Sequence, residues 1–528
     1  MKRNISSFGL LCTSISAILG SGWLFGSFFA AKYAGPASLI AWVIGGAMVC
    51  VLAFTFAEVC ALIPVSGSTV RIPHFTHGRA VSIVFSLVVW ISYVALMVIE
   101  VEAVVEYLSY FYPWMFHGSD GLTTDGYLIA CIIMLIIAII NNYSVKWLIR
   151  FNTLLTIIKI VVPISIALIL LFLFFNVSQI IHPSNSSFAP FGFHGIFMAI
   201  SAGGIIFSFN AFKQAADLAG EAKNPRFAVP FAIVGSIFIC LIIFILLQAG
   251  FIVALTPANL AAGWHSLQLS SNSSPFVSII TQSKILWLLP ILFFTAVISP
   301  FAAGLMYSLG GSRALFGMAE NGSAPKGLRK LTRKGIPLFT IWVNFALGLI
   351  IFQFFTGWNT LATFLTCLFA TGYLAAPICL VSLRRQVPDL KRPIKLPFGN
   401  IWSFFAFYFC TLFIYWTGWN TISKVAVFFI VCLLIVIILQ ILTKIKKIPD
   451  NFNWKSSIWL WIYFIGIVIF SYTGNYGGGH ELIHETPLYI LMAIFCVIIL
   501  IISTKFALPA ERTLRYMMEE TEIKMELK

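Results

Sequence analysis

Ile18-Leu19-Gly20-Ser21-Gly22-Trp23-Leu24-Phe25-Gly26 lies in the middle of the first long apolar stretch of the chain. Two glycines flanking a serine weaken a helical ladder and leave backbone groups without intrahelical partners. In hydrocarbon, an unpartnered N–H or C=O is costly unless protein or a water-filled cavity meets it. Residues 20–22 therefore either pack closely against another helix through small residues, or open the helix to line a site. The rest of the chain decides between these two readings.

The chain is built for a bilayer. Of its 528 residues, 60% are hydrophobic and only 10% are charged, and 51 are Phe. No soluble domain of this size has that composition, so a polytopic helical membrane protein is expected. Apolar stretches predict about fourteen spans, at 8–33, 38–62, 81–110, 127–142, 149–176, 192–219, 229–253, 285–311, 337–356, 359–382, 401–419, 422–443, 457–473 and 487–506. Lys and Arg concentrate in alternate loops, from Lys2 and Arg3 through Arg71, Arg79, Lys223 and Arg226 to Arg512 and Arg515. The loops between, 111–126, 177–191, 254–284 and 474–486, hold only Lys284. This alternation places both termini in the cytoplasm.

Several function classes drop out. The formal net charge of +15 resides in short loops, where it sets topology, so no nucleic-acid partner is expected. The ten Cys form no CxxC pair and no Cys/His cluster, and the eight His sit in loops or at span ends. No metal site, nucleophile triad, phosphate loop, catalytic residue or cofactor is expected. The first span, interrupted by glycines, is expected to be retained rather than cleaved as a signal peptide.

A second interruption falls at 202–215, Ala-Gly-Gly-Ile-Ile-Phe-Ser-Phe-Asn-Ala-Phe-Lys-Gln-Ala, in the sixth span. Ser208 and Asn210 break its apolar run, and Lys213 follows. An offset of five spans reverses insertion, which is the layout of an inverted repeat with paired broken helices at the bilayer midplane. Opening the first helix at Gly20–Gly22 would present N–H groups and a positive dipole end to a carboxylate, with Ser21 as a hydroxyl donor. Carbonyls freed near Ile18 and Phe207 would suit an ammonium. Trp23 either shapes that pocket or packs as an ordinary core residue. The third span carries Glu100, Glu102 and Glu106. Glu102 and Glu106 share a helical face and Glu100 points elsewhere; they line a vestibule or reach the interface. Glu58 is expected to cap or pair near the cytoplasmic end of the second span. Lys159 lies about ten residues beyond Arg150, roughly 15 Å along a helix, which is far for a snorkelling lysine. It must face a cavity or a partner, where it could release and regain a proton.

Ile18-Leu19-Gly20-Ser21-Gly22 resembles the glycine-rich first-helix motif of the amino acid–polyamine–organocation (APC) superfamily. Phe207-Ser208-Phe209-Asn210-Ala211-Phe212, with Glu221-Ala222-Lys223-Asn224-Pro225, resembles the sixth helix of that family and the loop after it. Ser312-Arg313-Ala314-Leu315-Phe316-Gly317-Met318-Ala319, with Gly322 and Pro325, resembles its loop after helix eight. Asn152, Thr156 and Lys159 resemble the fifth helix of its proton-coupled members. The chain is most similar to bacterial amino acid–proton symporters of the aspartate/glutamate branch. It departs at Ala211, where members usually carry glycine, at Lys213, where many hold an acid, and at Gly220. These departures leave the substrate class open.

The resemblance implies an all-α integral membrane protein with an inverted-repeat 5+5 (LeuT-like/APC) fold and about four additional C-terminal helices. Residues 1–190 and 191–400 would form the two repeats, 401–506 the extra helices and 507–528 a cytoplasmic tail. It implies secondary active transport of an amino acid, by proton symport or by exchange, with the substrate, protons and lipid as partners. The residues it points to are Ile18, Gly20, Ser21, Gly22, Trp23, Phe207, Ser208, Asn210, Ala211 and Lys213 for the substrate. Phe207 matches the aromatic that closes over substrate. Lys159 matches the place where sodium-driven relatives hold their cation, and with Glu102 it is the candidate for proton coupling. A receptor or a membrane-embedded enzyme is the rival class, but the acid/base or metal cluster that an enzyme requires is not found in the sequence.

Overall fold

The computed structural model describes residues 3–116, 121–143, 145–176, 187–269, 274–353, 357–445 and 452–520. The first apolar stretch folds as two helices, α1 (Ser7–Ile18) and α2 (Gly22–Ala34). Ser6 caps α1 by accepting the Gly9 N–H at 3.1 Å. The helix stops where Leu19 turns to ψ 61°. Next come α3 (Ser38–Leu62), a short helix α4 (Ser68–His77), α5 (Arg79–Leu108), α6 (Thr124–Asn141) and α7 (Val145–Phe174). The sixth span is broken into α8 (Gly192–Ser201), α9 (Ile205–Phe209), a 3-10 turn Asn210–Lys213 and α10 (Gln214–Asp217).

The chain continues through α11 (Pro225–Val253), a short α12 (Pro275–Gln282), α13 (Leu289–Glu320) and α14 (Leu338–Ile351). The tenth span is α15 (Trp358–Tyr373) running almost directly into α16 (Ala375–Gln386). The last four spans are α17 (Gly399–Trp416), α18 (Trp419–Ile445), α19 (Trp454–Thr473) and α20 (Glu485–Lys505), followed by α21 (Ala510–Glu520). Each apolar stretch read from the sequence coincides with one of these helices or broken helices. Among the described residues, eleven helical stretches are long and apolar enough to cross a membrane; one of them, Gly22–Leu62, holds both α2 and α3. Residues 446–451, within a Lys-rich stretch, fall outside the described residues, as does the expected tail from 521 onward.

Helices α5 and α13 pack along one another at the centre, and α1 lies against α7, α11 and α13. This explains why α5 is apolar over most of its circumference: it is almost wholly buried, whereas α6 and α7 keep broad apolar faces for lipid. The face carrying the N-terminus is tied together by polar contacts. Asn4 and Ile5 donate to the Glu221 carbonyl, and Glu221 pairs with Arg313 at 2.7 Å in a buried ion pair. The Gly67 N–H donates to the Asp217 carbonyl, which links the α3–α4 turn to the end of the sixth span.

The C-terminal segment returns to the same face. The Leu508 N–H donates to Thr76 on α4, and Gln386 on α16 donates to both the Thr76 and Leu508 carbonyls. Burial pushes the neighbouring His77 imidazole down to about 4, so it packs neutral against Trp459.

The expected pairing of Glu58 is present. Its carboxylate, 2% exposed, accepts from Arg384 at 2.6 and 3.0 Å and from the Leu396 N–H at 2.8 Å, with Arg392 at 3.5 Å. Removing the closer arginine leaves the buried charge with only the longer Arg392 contact and one N–H, a loss that costs part of the about 3–5 kcal/mol of a fully broken buried pair. Arg384→Ala should therefore lower thermal stability in detergent far more than Arg385→Ala, whose side chain is exposed. Equal melting temperatures for the two variants would contradict this assignment.

Candidate functional site

The break in the first span leaves two sets of backbone groups to satisfy, carbonyls before it and N–H groups after it. The carbonyls are taken by side chains of two helices. Lys159 on α7, fully buried, donates its ammonium to the Ser16 carbonyl, to Ser16 Oγ at 3.0 Å and to the Ser299 carbonyl of α13 at 2.9 Å. Tyr307 donates its hydroxyl to the Ala17 carbonyl, and Ser299 Oγ donates to the Leu19 carbonyl at 2.6 Å. The Ile18 carbonyl, expected to be free, accepts the Gly20 N–H at 2.9 Å. Asn152 and Thr156 sit two turns and one turn before Lys159 and also face α1. Asn152 accepts from Ser16 Oγ at 2.6 Å and Thr156 donates to the Cys12 carbonyl at 3.2 Å.

Beyond the break, the start of α2 faces a carboxylate supplied by the protein itself. The Ser21 N–H donates to Glu100 Oε2 at 2.6 Å, and Ser21 Oγ donates to Oε1 at 3.2 Å. A Cβ on Gly20 would lie 2.7 Å from the Glu100 carboxyl carbon, so only glycine admits the carboxylate there. Lys159 before the break and Glu100 after it interact electrostatically across it. These charges match the dipole ends of the two half-helices: an ammonium at the carbonyl end, a carboxylate at the N–H end.

Sequence reasoning placed Glu100 on a face away from Glu102 and Glu106, which the structure bears out, but it did not connect Glu100 with the break. Glu102 instead accepts the Gly357 N–H at the start of α15, at 2.9 Å. Trp23 donates its indole N–H to Ser299 Oγ at 3.1 Å, and so belongs to the polar network around the break.

The sixth span breaks at Ala202–Gly204, a narrower gap than the 202–215 stretch suggested, because Gly204 takes φ +83° and the helix restarts at Ile205. Ser208 packs into the groove left by the first-span glycines: a Cβ on Gly22 would sit 2.6 Å from Ser208 Oγ, and one on Gly26 3.3 Å from it. Close packing and an open cradle thus coexist in the same three residues, at Gly22 and at Gly20–Ser21 respectively.

Phe207 is buried with its ring edge-on to Trp358 at 5.1 Å. Its carbonyl accepts from the Asn210 amide, while Asn210 Oδ1 is buried with no hydrogen-bond partner. Ala211 is buried beside it. Lys213 does not reach solvent. It is 1% exposed, with its ammonium 4.4 Å from the Tyr93 ring centre and within 5.8 Å of those of Phe369 and Tyr373. Asp217 lies nearby and accepts from the Thr69 N–H, the Thr69 hydroxyl and Tyr93. Among the described residues no group of His, Cys, Asp and Glu is arranged to hold a metal ion.

The geometry is that of two apposed broken helices with charged groups at their ends. A family model described as "Amino acid permease" matches residues 5–438. The chain is 31% identical to the glutamate/serine transporter AimA of Bacillus subtilis, covering 100% of this chain and 97% of that protein. It is 32% identical to the aspartate-proton symporter of the same organism, over 93% of this chain and 94% of that protein. Among solved structures, MhsT in complex with L-phenylalanine superposes with a TM-score of 0.56 at 14% identity, over 78% of this chain and 98% of that one. The shared fold is the LeuT-like 5+5 arrangement, here followed by four more long helices, three of them long and apolar enough to cross a membrane. With the first and sixth helices broken side by side and a family match over most of its length, the chain belongs to the amino acid permeases of the APC superfamily and is a multi-pass membrane transporter, not an enzyme.

Proposed function

We propose that this permease couples the inward movement of protons to uptake of acidic amino acids across the cytoplasmic membrane, with both termini in the cytoplasm. The observation that carries the reading is the Glu100 carboxylate held by the Ser21 N–H and hydroxyl: the break is built to bind a carboxylate. The names of two relatives matched along nearly their whole length, a glutamate/serine transporter and an aspartate-proton symporter, support the substrate class and the coupling ion.

In this reading the α-carboxylate of the substrate replaces that of Glu100 at Ser21, between Gly20 and Gly22 and beside Ile18 and Trp23. The ammonium faces the unpartnered Asn210 Oδ1 and the carbonyl edge of Phe207, Ser208 and Ala211. Lys213 attracts the side-chain carboxylate of an acidic substrate and repels a cationic one. The two carboxylates exclude each other, because one N–H serves both. A proton that neutralises Glu100 frees the cradle, and the Glu100–Lys159 pair carries that proton with the substrate. Charged Lys159 ties α1 to α7 and α13; its neutral form would release them. Glu102 stands one face away as a carboxylate on the outer route to this pair. Residues 1–190 and 191–400 act as the two inverted repeats, with 401–506 packed outside them and 507–528 as a tail.

Two outcomes are expected. In proteoliposomes, an inward proton gradient should drive accumulation of labelled aspartate, with glutamate competing better than arginine, and Lys159→Gln should abolish the gradient-driven accumulation. Arginine outcompeting both acidic amino acids would overturn the substrate class, and accumulation by Lys159→Gln would move the proton elsewhere. Gly22→Val, which pushes a side chain into Ser208, should weaken substrate binding at least about tenfold, or about 1.4 kcal/mol, while the protein still inserts and folds. Wild-type affinity in a well-folded Gly22→Val protein would remove the break from the binding site.

A further inference from the structure

One side chain touches both helix breaks, and the family motifs do not include it. Trp358 is the first residue of α15 and is 2% exposed. Its indole N–H donates to Ser21 Oγ at 2.9 Å. Its ring stacks on Phe25 at 5.0 Å and on Phe29 at 5.5 Å, and meets Phe207 edge-on. A Cβ on Gly204 would come within 3.0 Å of it, so the glycine of the sixth-span break makes room for the ring. Gly357 just before it takes φ +87°, and its N–H is held by Glu102. The start of α15 is thus fixed to α5 by a backbone hydrogen bond and to the first span by an indole.

The consequence lies in the hydroxyl of Ser21. A serine hydroxyl has one proton to give and lone pairs that accept. The indole N–H can only donate, so it takes a lone pair and leaves the Ser21 proton for something else. The acceptor that this proton meets is the carboxylate in the cradle, Glu100 Oε1 at 3.2 Å in this state. We propose that Trp358 is a positioning residue for substrate: it fixes the Ser21 hydroxyl as a donor to the substrate carboxylate, and it caps the site with the same ring. The inference rests on the reading of the break as the carboxylate site. It adds that affinity for the carboxylate depends on a helix of the second repeat.

The test is a double-mutant cycle read as KM and maximal rate for labelled aspartate in proteoliposomes. Trp358→Phe keeps an aromatic lid and removes the N–H. It should raise KM about 3–10-fold, the range of one neutral hydrogen bond, with little change in maximal rate. Ser21→Ala should raise KM by a similar factor or more. In the Ser21→Ala background, Trp358→Phe should change KM less than about twofold, because its target is gone. Equal factors in both backgrounds, or a Trp358→Phe protein with wild-type KM, would overturn the inference and leave the carboxylate site standing. A Ser21→Ala protein with wild-type KM would overturn the hydroxyl as a donor to substrate, and the role of Trp358 with it, while the backbone N–H cradle would still stand. Fluorescence size-exclusion profiles of all variants establish folding, and Trp358→Tyr supplies a second lid without the indole N–H, expected to match Trp358→Phe.

Discussion

The first span can be broken in mid-membrane because a carboxylate sits where the helix restarts. The N–H groups at the head of α2 cannot be left bare in a protein interior, and neither can the charge of Glu100; each satisfies the other at 2.6 Å. The constraint propagates outward. Position 20 must be glycine to admit the carboxylate, Ser21 must present both its N–H and its hydroxyl, and α5 must run close enough to deliver Glu100. A second carboxylate can enter only by taking the place of the first. In the proposed mechanism, substrate binding and the protonation of a buried acid become one event rather than two.

The carbonyl side of the break obeys the same accounting with the opposite sign. Ser16, Ala17 and Leu19 give their carbonyls to Lys159, Tyr307 and Ser299, which come from α7 and α13. The half-helix α1 is therefore held by hydrogen bonds that a cation supplies in part. Losing that cation would loosen α1 from two neighbours at once. The same face of the protein is closed by Glu221 with Arg313 and by the Asp217–Thr69–Tyr93 cluster, so α1 and the end of the sixth span are anchored by separate polar contacts.

Much of this was legible in the sequence because glycine pairs and buried charges are rare and expensive in membrane helices. Gly20–Gly22, the polar stripe Asn152, Thr156 and Lys159, the break near Gly204 and the pairing of Glu58 all announce themselves by residue type and spacing. The part that was not legible depends on distance across the fold. Nothing in the local sequence says that Glu100 rather than Glu102 meets Ser21, since both are carboxylates in one apolar helix, two residues apart. The indole of Trp358 reaching Ser21 links residues 337 positions apart and leaves no local signature. Carbonyls expected to be free at Ile18 and Phe207 are occupied by near neighbours, Gly20 and Asn210, through turns too tight to foresee from composition.

The central claim is that one Ser21 cradle serves two carboxylates, so that a proton on Glu100 is the condition for substrate to bind. The most direct measurement is the affinity of purified protein for labelled aspartate between about pH 5 and pH 8, where the substrate's own carboxylates stay ionised. The wild-type affinity should fall with rising pH, approaching about tenfold per unit once Glu100 has lost its proton, because the freed carboxylate then reclaims the cradle. In Glu100→Gln, which cannot ionise, the affinity should be flat across the same range. A Glu100→Gln protein that keeps the wild-type slope would contradict the account, since the competing carboxylate would then not be the one at Ser21.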